Sequence, residues 1–414
     1  MKYNSVVVVL LFLSGLYSTT RAQWVQTNGP YGGDVYCLTV SPNGAGGTQL
    51  FAGTNGTGVF LSTNNGTSWT AVNTGLTDKV VSALAVRDTN LFAGTGHWHI
   101  GGDGVFLSSN NGTSWASVGL ANRTVSSLVV SGANLFAATD SGVFLSTNNG
   151  TSWTAIDSGL TGFHSLSVDA LAMSGSNLYA GTYGDIFLST NNGTNWKVAD
   201  SGYVFAQPGV LAFAVSGTNL FAGGDGNGVF LSTNSGTGWT PKGGGGVVYA
   251  LAVSGTNLFA GGDGDGVFLS TNNGTSWSHV DTGLASNPIW SLALSGANLF
   301  AGTHNGVWRR PLSEMVTSVS EVGGESPGSF ELSQNYPNPF NPNTTIRYGL
   351  PHRSQVSLMV YNTLGQLVSQ LVQGDQEAGY HDVKFDASGL SSGVYFYRLQ
   401  AGTYVETRKL LLLK

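Results

Sequence analysis

Asp34 and Asp169 each stand at the start of a short, apolar, strand-like run, and a pair of carboxyl groups flanking one bond is what most glycoside hydrolases require. Residues 24–312 contain no glutamate, so an acid–base pair in that region has to be made of aspartates. The competing reading is that both carboxylates solvate loops. His97-Trp98-His99 sets two imidazoles one residue apart, which holds a metal only if a third ligand reaches them. Asp103 and His304 are the side chains that could supply it; otherwise the tripeptide is a solvated loop. Asp225-Gly226-Asn227-Gly228 and Asp263-Gly264-Asp265-Gly266 lack the later glutamate and the spacing of a calcium loop. The glycine run at 243–246 precedes no helix and no Gly-Lys-Ser/Thr, so it is not a phosphate loop. Cys37 is the single cysteine and has no histidine in a partnering pattern, which makes it a small core residue rather than a nucleophile. No metal and no cofactor are expected.

The elements that carry these residues repeat. The segment LFAGTNGTGVFLSTNNGTSW, residues 50–69, returns at 91–115, 135–153, 178–196, 220–239 and 258–277, with a partial copy at 299–310. From Trp69 to Trp277 the tryptophans step by 46, 38, 43, 43 and 38 residues. A period of about 40 with Gly-rich turns and short apolar runs is that of a four-stranded propeller blade. In one unit the strands read as 82–86, 90–94, 104–108 and a fourth beginning at Trp115. Between the third and fourth lies Asn-Asn-Gly-Thr, a tight-turn sequence because Asn and Gly accept positive φ at low cost. First strands begin near Val35, Ser82, Ser126, Asp169, Val210, Tyr249 and Trp290, which makes seven. The last copy lacks a fourth strand, and Trp24-Val25-Gln26-Thr27-Asn28-Gly29 mimics residues 69–75. Residues 24–27 are therefore expected to supply the outer strand of the last blade, closing the ring and removing its open edges.

Composition agrees with a packed β protein. With 41% hydrophobic and 9% charged residues the chain is not a disordered one. Its 61 glycines do not fall at every third position, which excludes collagen. Sixteen basic against 22 acidic residues, net −6 and without a long basic run, argue against a nucleic-acid partner. Lys2, the apolar run at 6–13 and Thr20-Arg21-Ala22 read as an export signal at 1–22. Cleavage is expected after Ala22, leaving Gln23 first, with the Sec machinery and signal peptidase as partners. The run is short of the ~20 residues of a spanning helix.

Two resemblances follow from these residues. Ser62-Thr63-Asn64-Asn65-Gly66-Thr67-Ser68-Trp69 resembles the Asp-box, Ser-x-Asp-x-Gly-x-Thr-Trp, of sialidase-like (BNR-type), sortilin-like and photosystem-assembly propellers. Asn64, Asn110, Asn148, Asn191, Asn234 and Asn272 stand where the box has Asp. The resemblance implies a fold for residues 24–312 and a structural hairpin away from any active site, not an activity. Sialidases of this kind use an arginine trio and a Tyr–Glu pair. With no glutamate, and only Arg87, Arg123, Arg309 and Arg310 in residues 24–312, that activity is not expected.

After a linker at 313–329, residues 330–414 show alternating strands at 345–350, 356–361, 379–385, 393–399 and 404–413, the pattern of a small β-sandwich. Tyr336-Pro337-Asn338-Pro339-Phe340-Asn341-Pro342, Val360-Tyr361-Asn362, Leu364-Gly365, Gly393-Val394-Tyr395-Phe396 and the ending from Lys409 to Lys414 closely resemble the type A C-terminal sorting domain of the type IX secretion system of Bacteroidetes and relatives. This resemblance implies Sec export, periplasmic folding and passage through the type IX outer-membrane translocon. It also implies removal of the tail by a sortase-like peptidase, with release or attachment to surface lipopolysaccharide.

The expected fold class is all-β: a seven-bladed β-propeller at 23–312 followed by a small Ig-like β-sandwich. Loops between second and third strands, and between blades, emerge on one face. That face should carry Tyr31, His97, Trp98, His99, Phe163, His164, Tyr183, Tyr203, Phe205 and His304. Aromatic side chains on a concave rim suit carbohydrate or peptide ligands; the other reading is that they plug the channel or pack between blades. The expectation is a monomeric, non-enzymatic propeller, secreted or held at the cell surface, that binds a glycan or protein ligand. An Asp-based exported glycoside hydrolase or lyase and a purely structural surface protein are the alternatives.

Overall fold

The computed structural model describes residues 23–42, 47–97, 101–161, 166–202, 209–224, 226, 228–264, 266–284, 288–318, 329–335, 338–376 and 379–413. The chain divides into two units, Met1–Thr317 and Ser318–Lys414. The first is a β-propeller. Among the described residues it holds seven four-stranded sheets. Their inner strands are Val35–Pro42, Val81–Arg87, Val125–Ser131, Val168–Ser174, Val210–Ser216, Val248–Ser254 and Ile289–Ser295. Each inner strand packs on the next, and Ile289–Ser295 packs on Val35–Pro42.

Local sequence explains each sheet. Ser131 and Asn134 pair across Gly132 and Ala133, with Gly132 at φ +57°, the mirror-image turn that a two-residue hairpin loop favours. The second strand, Asn-Leu-Phe-Ala-Gly-Thr or a close variant of it, is buried along nearly its whole length because strands flank both of its edges and sheets both of its faces. Its glycine allows neighbouring sheets to touch. A Cβ on Gly53 would lie 2.7 Å from Val81 Cγ1 of the next sheet, and one on Gly302 would lie 2.7 Å from Val35 Cγ1.

The turn after the third strand of the first six sheets is a hydrogen-bonded unit. Ser62 Oγ accepts from the Gly66 N–H at 2.9 Å, and Asn64 Oδ1 accepts from the Ser68 N–H at 2.9 Å. The acceptor is an amide oxygen, which does the work a carboxylate oxygen would do there. Its Nδ2 adds a bond to Ser68 Oγ at 2.8 Å. The same pattern recurs at Asn110, Asn148 and Asn272.

The tryptophan ending each turn ties its sheet to the preceding one. Trp115, Trp153, Trp196, Trp239 and Trp277 donate their indole N–H to the carbonyls of Val72, Val118, Ile156, Ala199 and Lys242 at 2.6–2.9 Å. Residues from the start of the chain complete the seventh sheet. Val25–Gln26 pairs antiparallel with Gly306–Pro311, Val25 opposite Arg309 and Gln26 opposite Trp308. Trp24, 2% exposed, donates Nε1 to Val280 O at 2.6 Å, and Trp69 Nε1 reaches Thr27 Oγ1 at 3.1 Å. The series of indole bonds therefore runs across the seam between the first and last sheets.

One stretch departs from the linker reading. Leu312–Ser318 is a short helix, its Leu312 N–H bonded to Ala297 O at 2.8 Å and Met315 fully buried. Leu312 and Met315 are three residues apart, on one helical face, a signal that the surrounding Ser, Glu and Thr dilute.

The second unit is a β-sandwich. One sheet contains Glu331–Leu332, Asn343–Leu350 and Gly379–Asp386; the other contains Leu367–Gln376, Ser354–Tyr361, Gly393–Ala401 and Tyr404–Leu412. Ile346, Leu358, Tyr397, Leu399 and Leu410 are among its fully buried core residues. Phe340, 2% exposed, is laced to the last strand: its N–H bonds Leu411 O at 3.0 Å and its carbonyl accepts from Leu413 N–H at 2.9 Å. Asn338 Oδ1 accepts from Leu411 N–H at 2.9 Å.

Trp24→Phe keeps the packing and removes the donor, leaving the Val280 carbonyl with Arg310 Nη1 at 2.8 Å as its remaining side-chain donor. Because that carbonyl keeps a donor, the loss is that of one ordinary hydrogen bond, about 0.5–1.5 kcal/mol. Scanning calorimetry should show the propeller transition lowered by a few degrees, whereas Trp→Phe at an exposed site would leave it unmoved.

Candidate functional site

Every inner strand carries one residue more than its partner. Val35 pairs with Thr54 and Cys37 with Gly53, which leaves Tyr36 out of the ladder. The same shift skips Ser82, Ser126, Asp169, Leu211, Tyr249 and Trp290. A bulge frees one residue from pairing and re-aims its side chain. All seven of these residues line a single cavity of about 120 Å³, together with His97 and Thr124. The residues before them (Val35, Val81, Val125, Val168, Val210, Val248, Ile289) are at most 1% exposed and lock the strands between sheets. The scaffold thus holds one variable position per sheet at the mouth of the channel.

Those positions are sorted by chemistry. Tyr249, Trp290 and Tyr36 come from three successive sheets. Tyr249 and Trp290 have ring centroids 4.6 Å apart at 34°; Tyr36 and Trp290 are 5.7 Å apart at 89°. His97 extends the arc, stacked on Tyr36 at 4.4 Å and 9°. Ser82, Thr124, Ser126 and Asp169 form the polar part of the lining, and no lysine or arginine is among the described lining residues. Both serine hydroxyls already donate to backbone carbonyls, Ser82 to Gly96 and Ser126 to Val168.

Asp34 lies behind the aromatic arc. Its Oδ1 accepts from Trp290 Nε1 at 3.0 Å and lies 2.7 Å from His304 Nδ1, while Asn55 Nδ2 lies 3.4 Å from Oδ2. Burial pushes this carboxyl up. The hydrogen bonds from His304, Asn55 and Trp290, with the charge of His304, outweigh burial and hold it below the usual 3.8. Burial, and then the Asp34 charge, raises the Tyr36 phenol above its ordinary value. Burial lowers the His97 imidazole, against the pull of Asp34 in the other direction.

The cavity brings together two of the residues singled out by sequence, His97 and Asp169; Asp34 bonds the lining residue Trp290, and His304 bonds Asp34. Tyr31, 69% exposed, and Tyr183, 39% exposed, are not among its lining residues. Trp98, His99, Phe163, His164, Tyr203, Phe205, Ala22, Tyr336, Pro337 and Lys414 lie outside the described residues. Among the described residues no three His, Cys, Asp or Glu side chains come close enough to hold a metal. Sequence reasoning missed Tyr36, Tyr249 and Trp290 as lining residues. The signal was present: superposing the internal copies gives Val/Ile-x-Cys/Ala/Ser, in which the flanking positions stay small or β-branched while x ranges over Tyr, Ser, Asp, Leu and Trp.

Residues 334–413 match the family model of the secretion system C-terminal sorting domain, and residues 18–163 match that of the DUF6242 beta propeller domain. The sorting domain indicates export to the cell surface or secretion and implies contact with the type IX machinery. No curated protein matches the chain. Among solved structures it resembles the extracellular domain of BT4673 from B. thetaiotaomicron, at 17% identity and a TM-score of 0.58, over 79% of this chain and 44% of that one. The chain thus spans less than half the length of that relative. It also resembles the GH74 xyloglucanase of Xanthomonas campestris, at 18% identity and 0.54, over 79% of this chain and 59% of that one. A third likeness is YCF48 bound to D1 peptide, at 12% identity and 0.55, over 70% of this chain and 96% of that one. At these identities the three likenesses establish the propeller fold.

Because the Asp34 carboxyl is held low in the folded state, its contribution to stability is present above the unfolded value and lost as pH falls through the folded one. Acid denaturation followed by circular dichroism should therefore show a smaller loss of stability below the ordinary carboxylate range for Asp34→Asn than for the parent. Parallel curves would show that the His304 and Trp290 contacts carry no net energy.

Proposed function

We propose a ligand-binding role for this chain, a β-propeller that carries a type IX secretion-system C-terminal sorting domain. In this reading the propeller is delivered to the outside of the cell and holds a glycan or protein ligand at its channel mouth without turning it over. The signal segment is removed after Ala22, and the sorting unit is cut away by a sortase-like peptidase once it has crossed the outer membrane. The observation that carries the binding role is the convergence of seven bulge residues on one cavity. Elsewhere the copies repeat one another closely, so selectivity has to reside where they differ. The cavity is small against the ~300–1,000 Å³ of an enclosing ligand pocket. It admits one ring or side chain, and the rest of the ligand spreads over the loop face.

A hydrolase reading rests on Asp34 and Asp169 at the same end of the channel. Glycoside hydrolysis needs one carboxyl that keeps its proton near neutral pH. Asp34 is held the other way, as a carboxylate, so only Asp169 could be the acid. YCF48 bound to D1 peptide and the GH74 xyloglucanase are propellers of both kinds, a peptide holder and an enzyme.

The double substitution Tyr36→Ala/Tyr249→Ala should weaken the full-length protein's binding on a glycan array, or its capture of a purified surface protein, at least tenfold. The melting temperature should stay near that of the parent. A hydrolysis screen on the same glycans should release no reducing sugar; release that Asp169→Asn abolishes would replace the binding role with catalysis.

A further inference from the structure

We propose that the group held inside the channel mouth is an organic ammonium, primary or methylated; this rests on the mouth being a binding site. Three electron-rich rings line it, and they do not form one flat platform. Trp290 stands at 89° to Tyr36 and at 34° to Tyr249. Rings set at angles enclose a compact cation, whereas stacking on a sugar needs one plane. A cation over aromatic faces is attracted by their quadrupoles, most strongly by tryptophan and more when water is excluded. Trp290 is further primed, because its Nε1–H donates to the Asp34 carboxylate at 3.0 Å. That bond draws negative charge toward the ring face. Asp169 adds a carboxylate to the lining itself, and no lysine or arginine among the described lining residues opposes it. An anionic ligand would meet the Asp169 carboxylate of the lining; a neutral one would leave its field unused. The volume of about 120 Å³ fits a head group rather than a whole ligand.

Tryptophan fluorescence or calorimetric titration of the full-length protein tests this with matched probes. Choline should bind at least tenfold more tightly than 3,3-dimethylbutanol, which has its shape without the charge. Trp290→Leu and Tyr249→Leu should each reduce choline binding at least tenfold, with near-ultraviolet circular dichroism reporting whether either substitution has disturbed the fold. Nα-acetyl-lysine amide and glucosamine distinguish the source: preference for the first assigns a protein side chain, and for the second an amino sugar. Equal affinity for choline and dimethylbutanol would overturn the proposal, since the cavity would then read shape alone. Binding of N-acetylglucosamine with indifference to every ammonium probe would also overturn it while leaving the glycan-binding role intact. Failure of all the probes would remove the ammonium, and the array and capture experiment would still decide the broader role.

Discussion

The bond from the indole at the head of each fourth strand (Trp24, Trp69, Trp115, Trp153, Trp196, Trp239 and Trp277) to the outer edge of the preceding sheet is the constraint on which this propeller depends. Sheets arranged radially diverge toward the rim, where packing alone leaves the least contact. An indole placed after each turn spans that divergence and satisfies its own N–H on a neighbour's carbonyl. The series would stop at the last sheet, whose fourth strand does not follow it in the chain. Trp24 and Val25–Gln26 carry it through: the indole meets Val280 O and the strand pairs with Gly306–Pro311. The edge that an open ring would expose is thereby covered.

Closure and site share this seam. Ser291 Oγ bonds Val35 O at 3.1 Å across it, and Asp34 binds Trp290 and His304 across it. The contacts that join the first sheet to the last are therefore the ones that fix the most electron-rich wall of the cavity. Bulges then do the rest. Each removes one side chain from the ladder, at the point where the inner strands crowd most closely, and turns it toward the axis. A uniform scaffold presents a non-uniform ring without altering its packing.

Much of this was legible in the sequence because it is repeated. Six copies of a Ser-x-Asn-x-Gly turn, with tryptophan steps of about 40, specify strands, turns and the propeller together. The site was only partly legible. His97 and Asp169 stand out by residue type, whereas Tyr249 and Trp290 read in the sequence only as the places where strands begin. A pairing shift is a property of two strands, and the alternation within one strand does not reveal it. Asp34 was visible as a carboxylate, yet its role depends on Trp290 and His304, 256 and 270 residues away. The helix Leu312–Ser318 was hidden for a related reason, since its one buried anchor, Met315, sits among polar neighbours.

Hydrogen exchange at Trp24–Thr27 tests the account most directly. The amides of Trp24 and Thr27 donate to Thr282 O and Val307 O, both at 2.9 Å. If the terminal strand shuts the ring, these two amides exchange as slowly as those of the neighbouring strand Gly306–Pro311 and open only with the whole propeller. If they exchange at the rate of an unstructured chain while Gly306–Pro311 stays protected, the seam is open and the aromatic wall built upon it has no foundation.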